Sequence, residues 1–178
     1  LILPSVGKMH GQKYIRAWQM EPLPIAHLAA LTPKDIDIVF FDDRMEEIDY
    51  DVDVDLVCIS IETYTALRAY QIASEFRRRN RTIVMGGFHA TLCPDEVAEY
   101  ADAVVVGQAE GTWQNLLQDF RNGTLKKIYK SDHHSPPNID VIPNRKIYGS
   151  RNYINIRLLE AGRGCKFRCE FCSIQQFF

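Results

Sequence analysis

The chain has 178 residues, 46% of them hydrophobic and 25% charged, with a formal net charge of -2. That profile suits a globular domain plus a remainder; it offers no electrostatic footprint for nucleic acid, and no apolar run approaches the roughly 20 residues that cross a bilayer. Five cysteines, an odd count in a chain this long, make no disulfide framework and point to a reducing, cytoplasmic compartment.

Both ends read as cut: Leu1-Ile2-Leu3-Pro4 has neither an initiator Met nor a charged signal-peptide start, and the chain stops six positions after Cys172. Leu1 to Val6 predicts a first strand, Pro24 to Leu31 a short helix with Pro24 in its first turn, and Ile36 to Phe41 a second strand. Val54 to Ile61 is apolar almost throughout, as strands covered on both faces are. Thr65 to Arg79 repeats Ala66, Ala69, Tyr70, Ala73 and Phe76 at helical spacing, and its basic last turn complements the helix dipole. Thr82 to Met85 predicts a strand running into Gly86-Gly87, and Asp95 to Tyr100 a short helix. Ala103 to Val106 is the fifth strand, and Thr112 to Arg121 a helix stopped by Asn122-Gly123. Lys127 to Lys130 is a candidate edge strand. Strands alternating with helices predict an α/β, doubly wound, five-stranded parallel sheet of Rossmann-like type over residues 1–130. A Pro-rich linker over 131–152 follows, and then 153–178, where Ile154 to Leu159 predicts a new strand leading into Gly162-Arg163-Gly164.

Cys165, Cys169 and Cys172 have the spacing C-x3-C-x2-C. Thiolates are the ligands by which iron–sulfur clusters are held, and three on one loop can take three corners of a cubane, leaving the fourth iron open. Structural zinc wants four ligands, and His133 and His134 are too far upstream to supply the fourth. A redox disulfide uses a pair rather than a triplet.

The triplet, its aromatic Phe171 and the preceding strand and Gly-Arg-Gly resemble the signature of the radical S-adenosylmethionine (SAM) enzymes. The resemblance implies that Cys165, Cys169 and Cys172 bind a [4Fe-4S] cluster, that SAM chelates the open iron, and that Phe171 packs beside the cluster. It makes 153–178 the start of a (β/α) barrel.

Glu21 to Leu31, Gly86 to Thr91 (GGFHAT) and Ala101 to Thr112 resemble the cobalamin (B12)-binding domains that precede some radical SAM barrels. Ligands of open parallel sheets bind outside the carboxyl ends of the strands, where Ser60, Thr63, Gly86 and Gly87 fall. By resemblance these four line the pocket for the cofactor's nucleotide tail, with His89 and Gln108 as neighbours of the corrin. The family's D-x-H-x-x-G is absent: Val6-Gly7-Lys8-Met9-His10-Gly11 lacks the Asp and has another His-to-Gly spacing. That departure implies either cobalt without a protein histidine below it or a domain that has lost the cofactor. Cys58 and Cys93 read as structural, and Asp42-Asp43 lacks the G-x-G-x-x-G that would make it a ribose site.

The resemblance therefore implies the front part of a cobalamin-dependent radical SAM enzyme, methyltransferase-like when complete and inactive as this piece alone. It would cleave SAM to a 5'-deoxyadenosyl radical and act on a small-molecule or natural-product substrate. A flavodoxin- or ferredoxin-like electron donor is implied, with no nucleic acid and no membrane span. The rival readings are a docking module that no longer binds cobalamin and a non-catalytic binding module.

Overall fold

The computed structural model describes residues 1–6, 19–131 and 141–177. Six parallel strands form one sheet in the order β2-β1-β3-β4-β5-β6. They are β1 (Ile2–Leu3), β2 (Phe41–Asp42), β3 (Leu56–Ser60), β4 (Thr82–Gly86), β5 (Ala103–Val106) and β6 (Ile128–Lys130). The candidate edge strand is thus the sixth member, paired with β5 through Val105 and Tyr129. Strand order reverses at β1 and β3, the switch point beside which doubly wound sheets bind ligands.

The helices are α1 (Leu23–Leu31), α2 (Ala66–Arg77), α3 (Phe88–Leu92), α4 (Pro94–Tyr100), α5 (Trp113–Arg121) and α6 (Ile174–Phe177). Period-two alternation distributes the central strands between two cores. Val57, Ile59, Ile83, Met85 and Val104 pack with α2, α3 and α4, whereas Cys58, Val84, Ala103 and Val105 pack with Leu31 of α1 and with Trp113, Leu116 and Leu117 of α5. Both faces are covered, which is why these strands read as apolar throughout.

Four expectations need correction. The first two strands are shorter than their apolar runs, because Pro4 has no amide hydrogen to extend β1 and β1 is the neighbour of β2. The helix expected from Thr65 begins as a 3-10 turn (Thr63–Thr65), where the Glu62 amide donates to Thr65 Oγ1 at 3.0 Å. The described part of the linker is packed: Tyr148 is buried beside Ile25, Ala26 and Phe40, and the Asn144 amide donates to Ala26 O at 2.8 Å. Ile154 to Leu159 joins no sheet; it crosses the edge of the domain, tied by the Ile154 amide to Gln19 O and by Arg145 to Leu158 O at 2.5 Å. A strand needs a ladder partner, and among the described residues this segment has none.

Candidate functional site

The carboxyl ends of β3, β4 and β5 open into a cavity of about 540 Å³ between the sheet and α1. Its walls are apolar: Leu28 and Leu31 from α1, Cys58, Val84 and Val105 from the strands, and Trp113 from α5. Trp113 is fixed by its indole N–H, which donates to Thr32 Oγ1 at 2.9 Å. Burial pushes the Cys58 thiol up to about 11, so it stays neutral and serves as wall.

Gly86 and Gly87 form the strand-end lip. A Cβ on Gly86 would stand 3.3 Å from Val105 Cβ. Gly87 has φ +107°, and a Cβ there would stand 2.7 Å from the Ile61 carbonyl oxygen, so only glycine fits. The chain turns flush against Ile61 and leaves the cavity mouth clear. The Ser60 hydroxyl faces the same cavity and makes no hydrogen bond to a described residue.

The rim is charged and connects distant parts of the chain. His27 Nε2 donates to Glu110 Oε1 at 2.8 Å. Arg163 donates to Gln108 Oε1 at 2.8 Å, to the Glu110 carboxylate, and to both oxygens of Glu160 at 2.8 and 2.9 Å. Burial pushes the Glu110 pKa upward, but hydrogen bonds from His27, its own backbone and Arg163, with the Arg163 charge, hold it at about 2.

Ser60, Gly86, Gly87 and Gln108 therefore line one cavity. Thr63 and His89 are not among its walls. They meet each other on the opposite face of the sheet, Thr63 Oγ1 lying 3.3 Å from His89 Nδ1. His10, His133 and His134 lie outside the described residues. Asp42 and Asp43, both fully buried, are engaged internally by Arg44 and Tyr153 and by Arg68 and Ser5. The sequence reading missed His27, Glu110, Arg163 and Trp113. His27 and Glu110 stood within quoted blocks, but nothing local marks a pair 83 positions apart.

Cys165 and Cys169 are exposed and Cys172 is half-buried, with the Cys172 amide bonded to Cys169 O at 3.0 Å. Three free thiols on one short loop are a donor set that suits a soft, sulfur-rich centre. The loop neighbours the cavity at both ends: Arg163 lines it from before, and Phe177 from after, stacking on Phe88 at 4.8 Å. Phe171 is 92% exposed. No helix among the described residues is long and apolar enough to cross a membrane.

The fit to cobalamin rests on shape and chemistry. The apolar slot suits a flat heteroaromatic base, and the glycine lip and the unengaged Ser60 hydroxyl suit the polar groups of a nucleotide tail.

Comparison with known proteins agrees. The family model described as the B12 binding domain matches residues 18–117. The chain is 36% identical over 171 residues to the bacteriochlorophyllide d C-8(2)-methyltransferase of Chlorobaculum tepidum, covering 86% of this chain and 37% of that protein. It is 28% identical over 160 residues to the C-12(1)-methyltransferase of the same organism, covering 85% of this chain and 35% of the relative. A methyltransferase of Pyrococcus horikoshii, described as uncharacterized, is 29% identical over 184 residues, with 85% of this chain and 40% of the relative covered. The chain thus spans well under half the length of each of these relatives. With a family match over most of the sheet and a cavity of the right chemistry at its strand ends, the chain belongs to the B12-binding domain family.

Proposed function

We propose that this chain is the cofactor-binding front part of a cobalamin-dependent radical SAM enzyme of the methyltransferase kind, working in the cytoplasm with a flavodoxin- or ferredoxin-like electron donor. The observation that carries the reading is the shared edge: the strand-end cavity and the segment leading to Cys165, Cys169 and Cys172 have a common rim at Gln108, Glu110 and Arg163. The methyltransferase names of three relatives support the reaction class.

In this reading cobalamin supplies a transferable methyl group, and a [4Fe-4S] cluster supplies the electron that cleaves SAM. The chain's residues hold and orient. Ser60 donates its hydroxyl to the nucleotide tail, and Gly86 and Gly87 let that tail pass close to the backbone. Leu28, Val105 and Trp113 exclude water from around the base, and Gln108 sits beside the corrin. His89 acts at one remove through its backbone, the amide donating to Ile61 O at 3.1 Å beside the loop against which Gly87 turns, and Thr63 meets the cavity only through its contact with the His89 ring. Cys165, Cys169 and Cys172 ligate the cluster as thiolates.

The test is an anaerobic titration of the chain with hydroxocobalamin followed by desalting. One equivalent of corrin absorbance should be retained, and Leu28→Trp, which fills the slot, should lower retention at least about tenfold. Replacing the three cysteines by Ala should abolish iron binding in anaerobic reconstitution while leaving corrin retention intact. A folded chain that retains no corrin would overturn the cofactor reading in favour of a docking module.

A further inference from the structure

On the face of the sheet opposite the cavity, three side chains with metal-binding atoms converge. His89 lies on α3, Cys93 stands between α3 and α4, and Glu96 is in the first turn of α4. Their spacing, H-x3-C-x2-E, folds into one corner because the Cys93 amide caps α3 on His89 O at 2.8 Å and Pro94 starts α4 at once. One ligand atom of each lies within 4.8 Å of the others. His89 is buried, Cys93 is a half-buried free thiol, and the Glu96 side chain is 51% exposed, so the corner is dry on one side and open to solvent on the other.

We infer that His89, Cys93 and Glu96 form a three-ligand site for a divalent cation of the zinc type. Zinc takes imidazole, thiolate and carboxylate at about 2.0–2.3 Å, which puts neighbouring ligand atoms roughly 3.3–3.7 Å apart in a tetrahedron. His89 Nε2 and Glu96 Oε1 are already 3.5 Å apart. The other imidazole nitrogen has the partner a metal-bound histidine needs: Thr63 Oγ1 lies 3.3 Å from Nδ1, placed to accept that N–H when Nε2 ligates a metal. The Tyr70 hydroxyl lies 3.2 Å from Nε2 and donates to Glu96 Oε1 at 2.8 Å, holding the two ligands together. With three protein ligands, the fourth position falls on the solvent side, where water completes the shell. The site lies across the sheet from the cobalamin cavity and does not rest on the cofactor reading.

The test uses the full chain carrying Cys165→Ser, Cys169→Ser and Cys172→Ser, so that the loop thiols do not compete. Cys58 is buried with its thiol pushed up to about 11, so it does not compete either. Co2+ is the spectroscopic probe and Zn2+ the competitor. The expected result is one equivalent of Co2+ bound, with a thiolate-to-cobalt charge-transfer band that Zn2+ displaces. Cys93→Ser should abolish that band, and Thr63→Val should weaken binding about tenfold, as loss of a ligand's outer partner does. Glu96→Gln, at a half-exposed position, provides a ligand variant that keeps its fold if the buried His89→Gln does not. A folded chain without saturable Co2+ binding, or binding unchanged by Cys93→Ser and Glu96→Gln, would overturn the assignment.

Discussion

Arg163 donates to Gln108 Oε1 at 2.8 Å across 55 positions of chain, and the same guanidinium also engages Glu110 and Glu160. Arg163 stands two residues before Cys165, and Gln108 stands two residues past β5. This arginine therefore fixes the approach of the cysteine loop relative to the strand ends. Its side chain is 13% exposed and that of Glu110 12%, so the pair is shielded from the solvent that weakens surface ion pairs.

The Glu110 carboxylate makes that tether acid-sensitive. Its folded pKa of about 2 lies below the ordinary value of 4.5, so its stabilisation is present above about 4.5 and is lost as pH falls toward 2. Urea unfolding of the chain and of Glu110→Gln at several pH values should show a wild-type advantage at pH 6 that shrinks steadily below pH 4.5. An advantage that grows on acidification would contradict the arrangement.

Gly87→Ala should destabilise the chain by about 2–4 kcal/mol, combining a disfavoured positive φ with a clash against backbone. Its Cβ would stand 2.7 Å from Ile61 O, whereas a Cβ on Gly111 meets nothing within 4 Å. Gly111→Ala should accordingly shift the thermal midpoint little. Thermal melts of the two variants side by side check the contrast, and corrin retention by Gly87→Ala should fall with its fold.

Asp43 is fully buried and accepts a two-pronged pair from Arg68, at 3.0 and 2.7 Å, and the Ser5 amide at 2.9 Å. Burial raises its pKa, and these partners outweigh that and hold it below the usual carboxylate range. Asp43→Ala leaves the largely buried Arg68 without its counter-charge and should cost about 3–5 kcal/mol. Asp51, with a side chain 86% exposed, meets Arg79 at the surface, and Asp51→Ala should cost less than about 1 kcal/mol. Chemical denaturation of both measures the difference.

Alkylation should sort the cysteines by environment. Iodoacetamide at pH 8 should modify exposed Cys165 and Cys169 first and Cys172 and Cys93 more slowly. Cys58, buried with its thiol raised to about 11, should react only after unfolding. Mass spectrometry of timed digests reads the order, and early modification of Cys58 would contradict its place in the cavity wall.

Local pattern alone determined the central architecture. β3, β4 and β5 announce themselves as short apolar runs because both faces of each are covered, and α5 ends where Asn122-Gly123 follows it. The block from Gly86 to Thr91, inside the matched residues 18–117, carried the B12-binding family from the sequence alone. The tertiary structure decided what depends on register and packing. Which of the side chains near the strand ends face the cavity is a matter of register: Ser60 lines it, while buried His89 points to the other side of the sheet, where it meets exposed Thr63. The rim partners His27, Glu110 and Arg163 are brought together by the sheet across 53 to 83 positions, a distance over which sequence periodicity carries no information. Ile154 to Leu159 has the apolar pattern of a strand, but a strand is completed by a neighbour's hydrogen bonds, and only the folded arrangement decides whether a neighbour is there.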